Sequence, residues 1–150
     1  MNTLEEDNVK ILVVDDEFVC LSKMTAFLSA YGQCDAATSG SQAIQLFCKA
    51  FARGNPYDLI TLDIDMLGMN GLEVLRTICQ LEHLKQIPRA RKLMVSADGN
   101  GSNVLNAKKL GCDGFLVKPV INDLLSATLA KLGLSCVDQN QSSADLVDTS

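Results

Sequence analysis

Four short stretches place side chains capable of acid, metal or phosphate chemistry directly behind apolar runs. Asp15, Asp16 and Glu17 follow KILVV, and Asp63 and Asp65 follow DLITL. Ser96 ends KLMVS ahead of Ala97 and Asp98, and Lys118 closes GFLVK ahead of Pro119. Carboxylates brought together this way repel: two like charges ~4 Å apart cost roughly 4 kcal/mol at an effective dielectric of 20. Against a total stability of about 5–15 kcal/mol that is a severe penalty. Such a cluster needs a counter-charge or raised pKa values. Lys118 supplies one positive charge. A hard dication supplies two, and Mg²⁺ suits oxygen ligands, keeps waters and accepts phosphate oxygens.

The elements that must position these groups are legible as five strand-like runs: Lys10–Val14, Cys34–Thr38, Asp58–Leu62, Lys92–Ser96 and Gly114–Lys118. Those around Leu12, Ile60, Val95 and Leu116 are continuously apolar, the pattern of a parallel sheet covered on both faces. The second is small and polar, as an edge strand is. Helical stripes lie between them. Leu21, Met24, Leu28 and Tyr31 form one, with Gly32 expected as its C′ residue. Ala43, Phe47, Ala50 and Phe51 form the second, and Val74, Leu75, Ile78 and Leu81 the third. Val104, Ala107 and Leu110 form a weaker fourth, closed by Gly111. Ile121, Leu124, Leu125, Thr128, Leu129 and Leu132 form the fifth, closed by Gly133. Five βα units with right-handed crossovers give an open three-layer α/β sheet. Ligands bind such sheets outside the carboxyl ends of the strands. All the polar candidates fall on that one edge. Asp is also a common helix N-cap, but four strands presenting complementary groups on one edge favour a shared site.

Composition narrows the class. With 150 residues, 47% of them apolar, the chain fits one domain with a sizeable core. A net charge of -5 argues against a broad nucleic-acid surface and against an anionic membrane. The six cysteines contain no CxxC pair and most sit among apolar residues, so they read as reduced thiols in a cytoplasmic protein. The first residues lack a signal-peptide pattern, and no apolar run approaches a membrane span of ~18 residues. Residues 1–8 read as a flexible arm, 9–134 as the folded domain and 135–150 as a polar, disordered tail. His83 and Arg53, Arg89, Arg91 and Lys92 read as solvated side chains.

The four stretches, ILVVDDE, LDIDMLGMNG, VSA and GFLVKP, in this order and spacing, resemble the receiver domain of bacterial two-component response regulators, of the stand-alone chemotaxis-regulator type. The resemblance spans about Lys10 to Leu132. It implies a flavodoxin-like (βα)5 fold with a five-stranded parallel sheet in the order 2-1-3-4-5. It implies Asp63 as the phosphoacceptor, and Asp15 and Asp16 as the acidic pair holding Mg²⁺ or Mn²⁺. Asp65 would add its backbone carbonyl to the metal. Ser96 and Lys118 would meet the phosphoryl group, and Ser96 and Phe115 would form the switch. Asp65 and Asp98 would modulate hydrolysis, and the Lys118–Pro119 bond would be cis. The implied partners are a sensor histidine kinase or histidine phosphotransfer protein and a downstream protein target, with homodimerisation left open. Leu67 departs from the family, which usually has Pro there, and is expected to loosen the turn after Asp63.

Two other readings stand beside this one. A receiver-like fold can serve as a phosphorylation-independent interaction module. A haloacid-dehalogenase-type phosphatase also ends a strand in DxD, as Asp63-Ile64-Asp65 does, but there the nucleophile precedes the acidic pair, whereas here Asp15 and Asp16 come first.

Overall fold

The computed structural model describes residues 9–136. The expected arm, 1–8, and residues 137–150 of the expected tail lie outside the described residues. The chain alternates β1 (Val9–Val14), α1 (Phe18–Leu28), β2 (Gly32–Ala37), α2 (Gly40–Ala52), β3 (Leu59–Asp63), α3 (Gly71–Lys85), β4 (Arg91–Ser96), α4 (Gly101–Leu110), β5 (Gly114–Val117) and α5 (Asn122–Lys131). The five strands form one parallel sheet in the order β2-β1-β3-β4-β5, as the resemblance implied.

The two-residue period of the strands sorts their side chains into two cores. Leu12, Val14, Ile60, Leu62 and Met94 face α2, α3 and α4, packing on Phe47, Leu75, Ile78 and Ala107. Ile11, Val13, Leu59, Leu93 and Leu116 face α1 and α5, packing on Leu21, Leu28, Leu125 and Leu129. Continuous apolar runs in β1, β3 and β4 are therefore explained by burial on both faces. Strand β5 differs from that expectation. It is an edge strand, and only its Leu116 is buried.

Local signals set most helix ends. Asn70 and Glu73 make a reciprocal capping box at α3, each backbone N–H donating to the other's side chain at 3.0 Å. Ser39 caps α2 and Asn100 caps α4. Gly111, at φ 106°, closes α4 in the left-handed region, as expected. Gly32 does not do so for α1: it is the first residue of β2. Its missing side chain matters because a Cβ there would strike the backbone carbonyl of Val9 on the paired strand. The α5 stripe is narrower than its sequence suggests, with Ile121 and Leu124 exposed. Helix α4 is thinly attached, Ala107 being its one fully buried residue. Beyond α5, Leu134 and Cys136 still pack against the α1–α5 core, past the expected boundary at 134.

At the end of the sheet away from the strand C-termini, Lys92 is 0% exposed, against the expectation of a solvated side chain. Its ammonium donates to Glu82 Oε1 at 2.6 Å and to the Ala90 carbonyl at 2.7 Å, while Glu82 Oε2 accepts from Ala90 N–H at 2.7 Å. Glu82 is buried because α3 runs on to Lys85, one turn past the apolar stripe. The connection to β4 is thus only residues 86–90. Gln86, at φ 54°, turns the chain there. The other three cations hold to expectation in being exposed, although Arg89 also pairs with Asp113 at 2.6 Å. His83 is exposed as well.

Removing one member of a buried ion pair strands the other charge, at a cost of about 3–5 kcal/mol, whereas apolar replacement of both is often nearly neutral. Glu82→Ala is therefore expected to lose about 3–5 kcal/mol in urea unfolding, and Glu82→Leu with Lys92→Met far less. Equal losses in the single and double variants would show that lost shape, not stranded charge, sets the cost.

Candidate functional site

The carboxyl ends of β1, β3, β4 and β5 converge as the sequence suggests. Asp63 is the last residue of β3 rather than a cap beyond it, because the ladder extends one step to pair it with Val95. Only 2% of it is exposed. Asp15 is also buried, and its backbone N–H donates to the Ala37 carbonyl at the end of β2. Neither is a helix N-cap. Asp15 Oδ1 instead accepts from Glu17 N–H at 2.9 Å, fixing the turn into α1. Asp16 is exposed. Asp15, Asp16 and Asp63 each offer an oxygen within 4.8 Å of the others.

Lys118 reaches into this cluster from the end of β5. Its ammonium lies 2.9 Å from Asp15 Oδ2, 3.5 Å from Asp63 Oδ2 and 3.6 Å from Glu17 Oε1. The peptide bond to Pro119 is cis. A cleft of about 150 Å³ between α1 and α5 reaches Asp15, Asp63 and Lys118 and is otherwise largely walled by apolar side chains such as Val19, Met24 and Leu125. Burial pushes the Asp63 carboxyl up to about 7; the Asp15 charge adds to the rise, and Lys118 and the Asp65 N–H oppose it. For Lys118, burial works against the charge, but the Asp15 hydrogen bond and the Asp63 and Asp15 charges outweigh it and raise its pKa.

The donor set suits a hard dication. Three carboxylates share one lysine, so negative charge is in excess, and the available donors are oxygens. That is the chemistry Mg²⁺ or Mn²⁺ requires.

Gly71 holds α3 close to the site. A Cβ at this residue would strike the Asp63 backbone carbonyl. Leu67 is 90% exposed, and its N–H donates to Asp16 Oδ2 at 3.2 Å. Proline has no N–H to give, so the residue expected to loosen the turn also ties it to the acidic pair.

Ser96, 0% exposed, sits one residue along β4 from the partner of Asp63. Its hydroxyl donates to Asp65 Oδ2 at 2.9 Å, with the Asp98 carbonyl as a second acceptor at 3.0 Å, and accepts from Asp98 N–H at 3.0 Å. Phe115 lies on β5 beside Met94, half-buried against the α2–α4 core. Asp98 is exposed and its carboxylate is bonded to Asn100. The sequence did not reveal the Asp65 side-chain contacts or the role of Ala97 N–H, which donates to Asp65 Oδ2 at 3.1 Å. The spacing of Asp65 from Asp63 was the available signal, but the partners lie 31 and 32 residues away.

A family model for the response regulator receiver domain matches residues 11–130. The chain belongs to the response regulator receiver family. This places it with receivers rather than with the haloacid dehalogenases. Among curated relatives of this receiver, the transcriptional regulatory protein ZraR of Escherichia coli is 33% identical over 129 residues, 85% of this chain. The chain spans only 27% of ZraR's length. The chemotaxis protein CheY-3 of Vibrio cholerae is 28% identical, over 88% of this chain and 97% of CheY-3. Among solved structures, the receiver domain of the histidine kinase CKI1 from Arabidopsis thaliana, complexed with Mg²⁺ and BeF3⁻, superposes with a TM-score of 0.68 at 25% identity. The match covers 84% of this chain and 93% of that one.

The raised Asp63 pKa carries a sign. The folded protein holds a proton on Asp63 that the unfolded chain releases near the ordinary value of 3.8. Stability from this group is therefore full at low pH and is lost as pH rises towards 7. In metal-free protein, Asp63→Asn is expected to raise the melting temperature at pH 8 and to change it much less at pH 5. An equal effect at both pH values would show that charge crowding is not the cause.

Proposed function

We propose that this receiver takes a phosphoryl group onto Asp63 from a phosphohistidine of a sensor kinase or phosphotransfer protein and signals by a change of conformation. The observation that carries the reading is Asp63 itself: a buried carboxylate flanked by two further acids, approached by Lys118 and lying beside Ser96. A carboxylate oxygen of Asp63 attacks phosphorus, and the O–P bond forms as the P–N bond to the donor imidazole breaks. The imidazole keeps the electron pair. Phosphoryl transfer asks mainly for positioning and charge neutralisation, and these residues are arranged for both. The Asp65 N–H orients Asp63 by donating to its Oδ1 at 3.2 Å, and Lys118 neutralises charge at Oδ2. Asp15, Asp16 and Asp63, with the Asp65 carbonyl, are the proposed holders of Mg²⁺ or Mn²⁺, which when bound offsets the charge of carboxylates and phosphate.

The output is assigned to Ser96 and Phe115. A phosphoryl group adds about -1.5 to -2 charge and new acceptor oxygens. Rearrangement of Ser96 and rotation of Phe115 would shift the population of packings on the α4–β5–α5 face. Asp65 and Asp98 are proposed to modulate hydrolysis of the acyl phosphate. Exposed Phe18 and Val19 beside the acidic loop, and Leu67 beside Asp16, suit docking of a protein phosphodonor. The protein is read as a signalling module acting once on itself rather than as a turnover enzyme. Its six free cysteines support a reducing, cytoplasmic setting. Among the described residues, no helix is long and apolar enough to cross a membrane.

Intact mass after incubation with Mg²⁺ and acetyl phosphate should rise by one phosphoryl group in the wild type and not in Asp63→Asn. Labelling retained in that variant would refute the assignment. Lys118→Ala is expected to keep divalent-ion binding, measured by calorimetry, while losing the phosphorylation-dependent change in the amide spectrum. A normal spectral change would remove Lys118 from the switch.

A further inference from the structure

Two hydrogen-bond donors beside Asp63 already hold an anion. The Ser96 hydroxyl and the Ala97 N–H converge on a single oxygen, Asp65 Oδ2, at 2.9 and 3.1 Å. The place of this pair follows from the sheet. Asp63 pairs with Val95 across β3 and β4, and Ile64 N–H continues the ladder to the Val95 carbonyl at 2.9 Å. Ser96 and Ala97 therefore come next along the rim, directly beside the reacting carboxylate. The backbone of Asp65 is held beside it, its N–H donating to Asp63 Oδ1. Two donors meeting on one anionic oxygen are a cradle for charge-assisted hydrogen bonds, and a carboxylate oxygen and a phosphoryl oxygen fill such a cradle alike.

We propose that the Asp65 carboxylate is a built-in occupant of the phosphoryl-oxygen cradle, holding Ser96 and Ala97 until a phosphoryl group on Asp63 displaces it. This inference rests on the phosphoacceptor reading of Asp63. The hydroxyl of Ser96 has one proton, which Asp65 Oδ2 at 2.9 Å and the Asp98 carbonyl at 3.0 Å already share, so an arriving oxygen must compete for it. The exchange is acceptor for acceptor, and both donors stay satisfied throughout. What differs between the two occupants is their freedom. Asp65 is exposed and can leave into water, whereas Asp63 is buried and cannot. On this account the rearrangement of Ser96 is an exchange of Asp65 for a phosphoryl oxygen, and release of Asp65 accompanies it at this corner. A site whose open form is only a fraction of the population binds its ligand more weakly by that fraction. The occupant therefore lowers the affinity of the cradle for a phosphoryl group and makes the site harder to load.

The test uses beryllofluoride as the phosphoryl mimic at saturating Mg²⁺, on the full chain, with wild type, Asp65→Ala and Asp65→Asn. Both substitutions keep the backbone carbonyl. In the free wild type the Ala97 amide should resonate downfield and exchange slowly. In Asp65→Ala it should move upfield and exchange faster, and the dissociation constant for beryllofluoride should fall at least roughly tenfold, since release of even one of the two charge-assisted hydrogen bonds is worth about that much. Asp65→Asn, which keeps an acceptor oxygen without the charge, should fall between. With beryllofluoride bound, the Ala97 amide should report an acceptor in all three. Tighter binding with an unmoved Ala97 amide in the free Asp65→Ala protein would overturn the proposal, because bulk charge alone would then explain the gain. Equal affinity in wild type and Asp65→Ala would overturn it too, while leaving the phosphoacceptor reading intact. Failure of all three proteins to take up beryllofluoride would overturn both.

Discussion

Excess negative charge held out of water at the rim of a parallel sheet is the constraint from which the rest of the site follows. The Asp15 and Asp63 carboxylates are buried with one ammonium, Lys118, between them. Burial raises the cost of every charge, and the pair raises it again by mutual repulsion. The lysine answers only part of that excess. The rim is therefore poised to accept added positive charge, which a hard dication would supply. The frame has to be stiff enough to hold the acids together, which two aliphatic cores on either side of the sheet achieve.

Much of this frame was legible in the residues. Continuous apolar runs such as Ile11–Val14 and Leu59–Leu62 can be placed only where both faces of a strand are covered. The acids at their ends then fall on one edge by topology alone. What escaped the sequence depended on partners distant along the chain. Lys92 reads as a surface lysine until α3 is extended far enough to bring Glu82 under it. Gly32 reads as a helix stop, because a glycine required by a neighbouring strand leaves the same mark as one required by a positive φ. Strand β5 has the composition of a central strand, and nothing local in it reports that the sheet ends there. The Asp65 contacts cross from β3 to β4 and rest on a backbone N–H, which no residue type encodes.

Leu67 and Asp65 show how the loops around a common framework adjust it. One gives an amide to Asp16 and the other gives a carboxylate to Ser96 and Ala97. Both contacts use groups that the proposed reaction also needs. The resting site is therefore already engaged with its own loops rather than waiting as an open bowl, and the proposed chemistry would begin with exchange of partners.

Helix α4 gives the frame its one compliant strut. Its sole fully buried anchor is the methyl of Ala107, and burying a single carbon of this kind is worth only about 0.8 kcal/mol. The helix starts at Gly101, just past the segment from Ser96 to Asn100 that carries the contacts of the proposed exchange. A change of contacts there would be taken up more readily by this loosely seated helix than by the sheet. The far end of β4 meanwhile is pinned by Lys92 and Glu82. The most thinly anchored helix therefore adjoins the corner where the chemistry is proposed to occur.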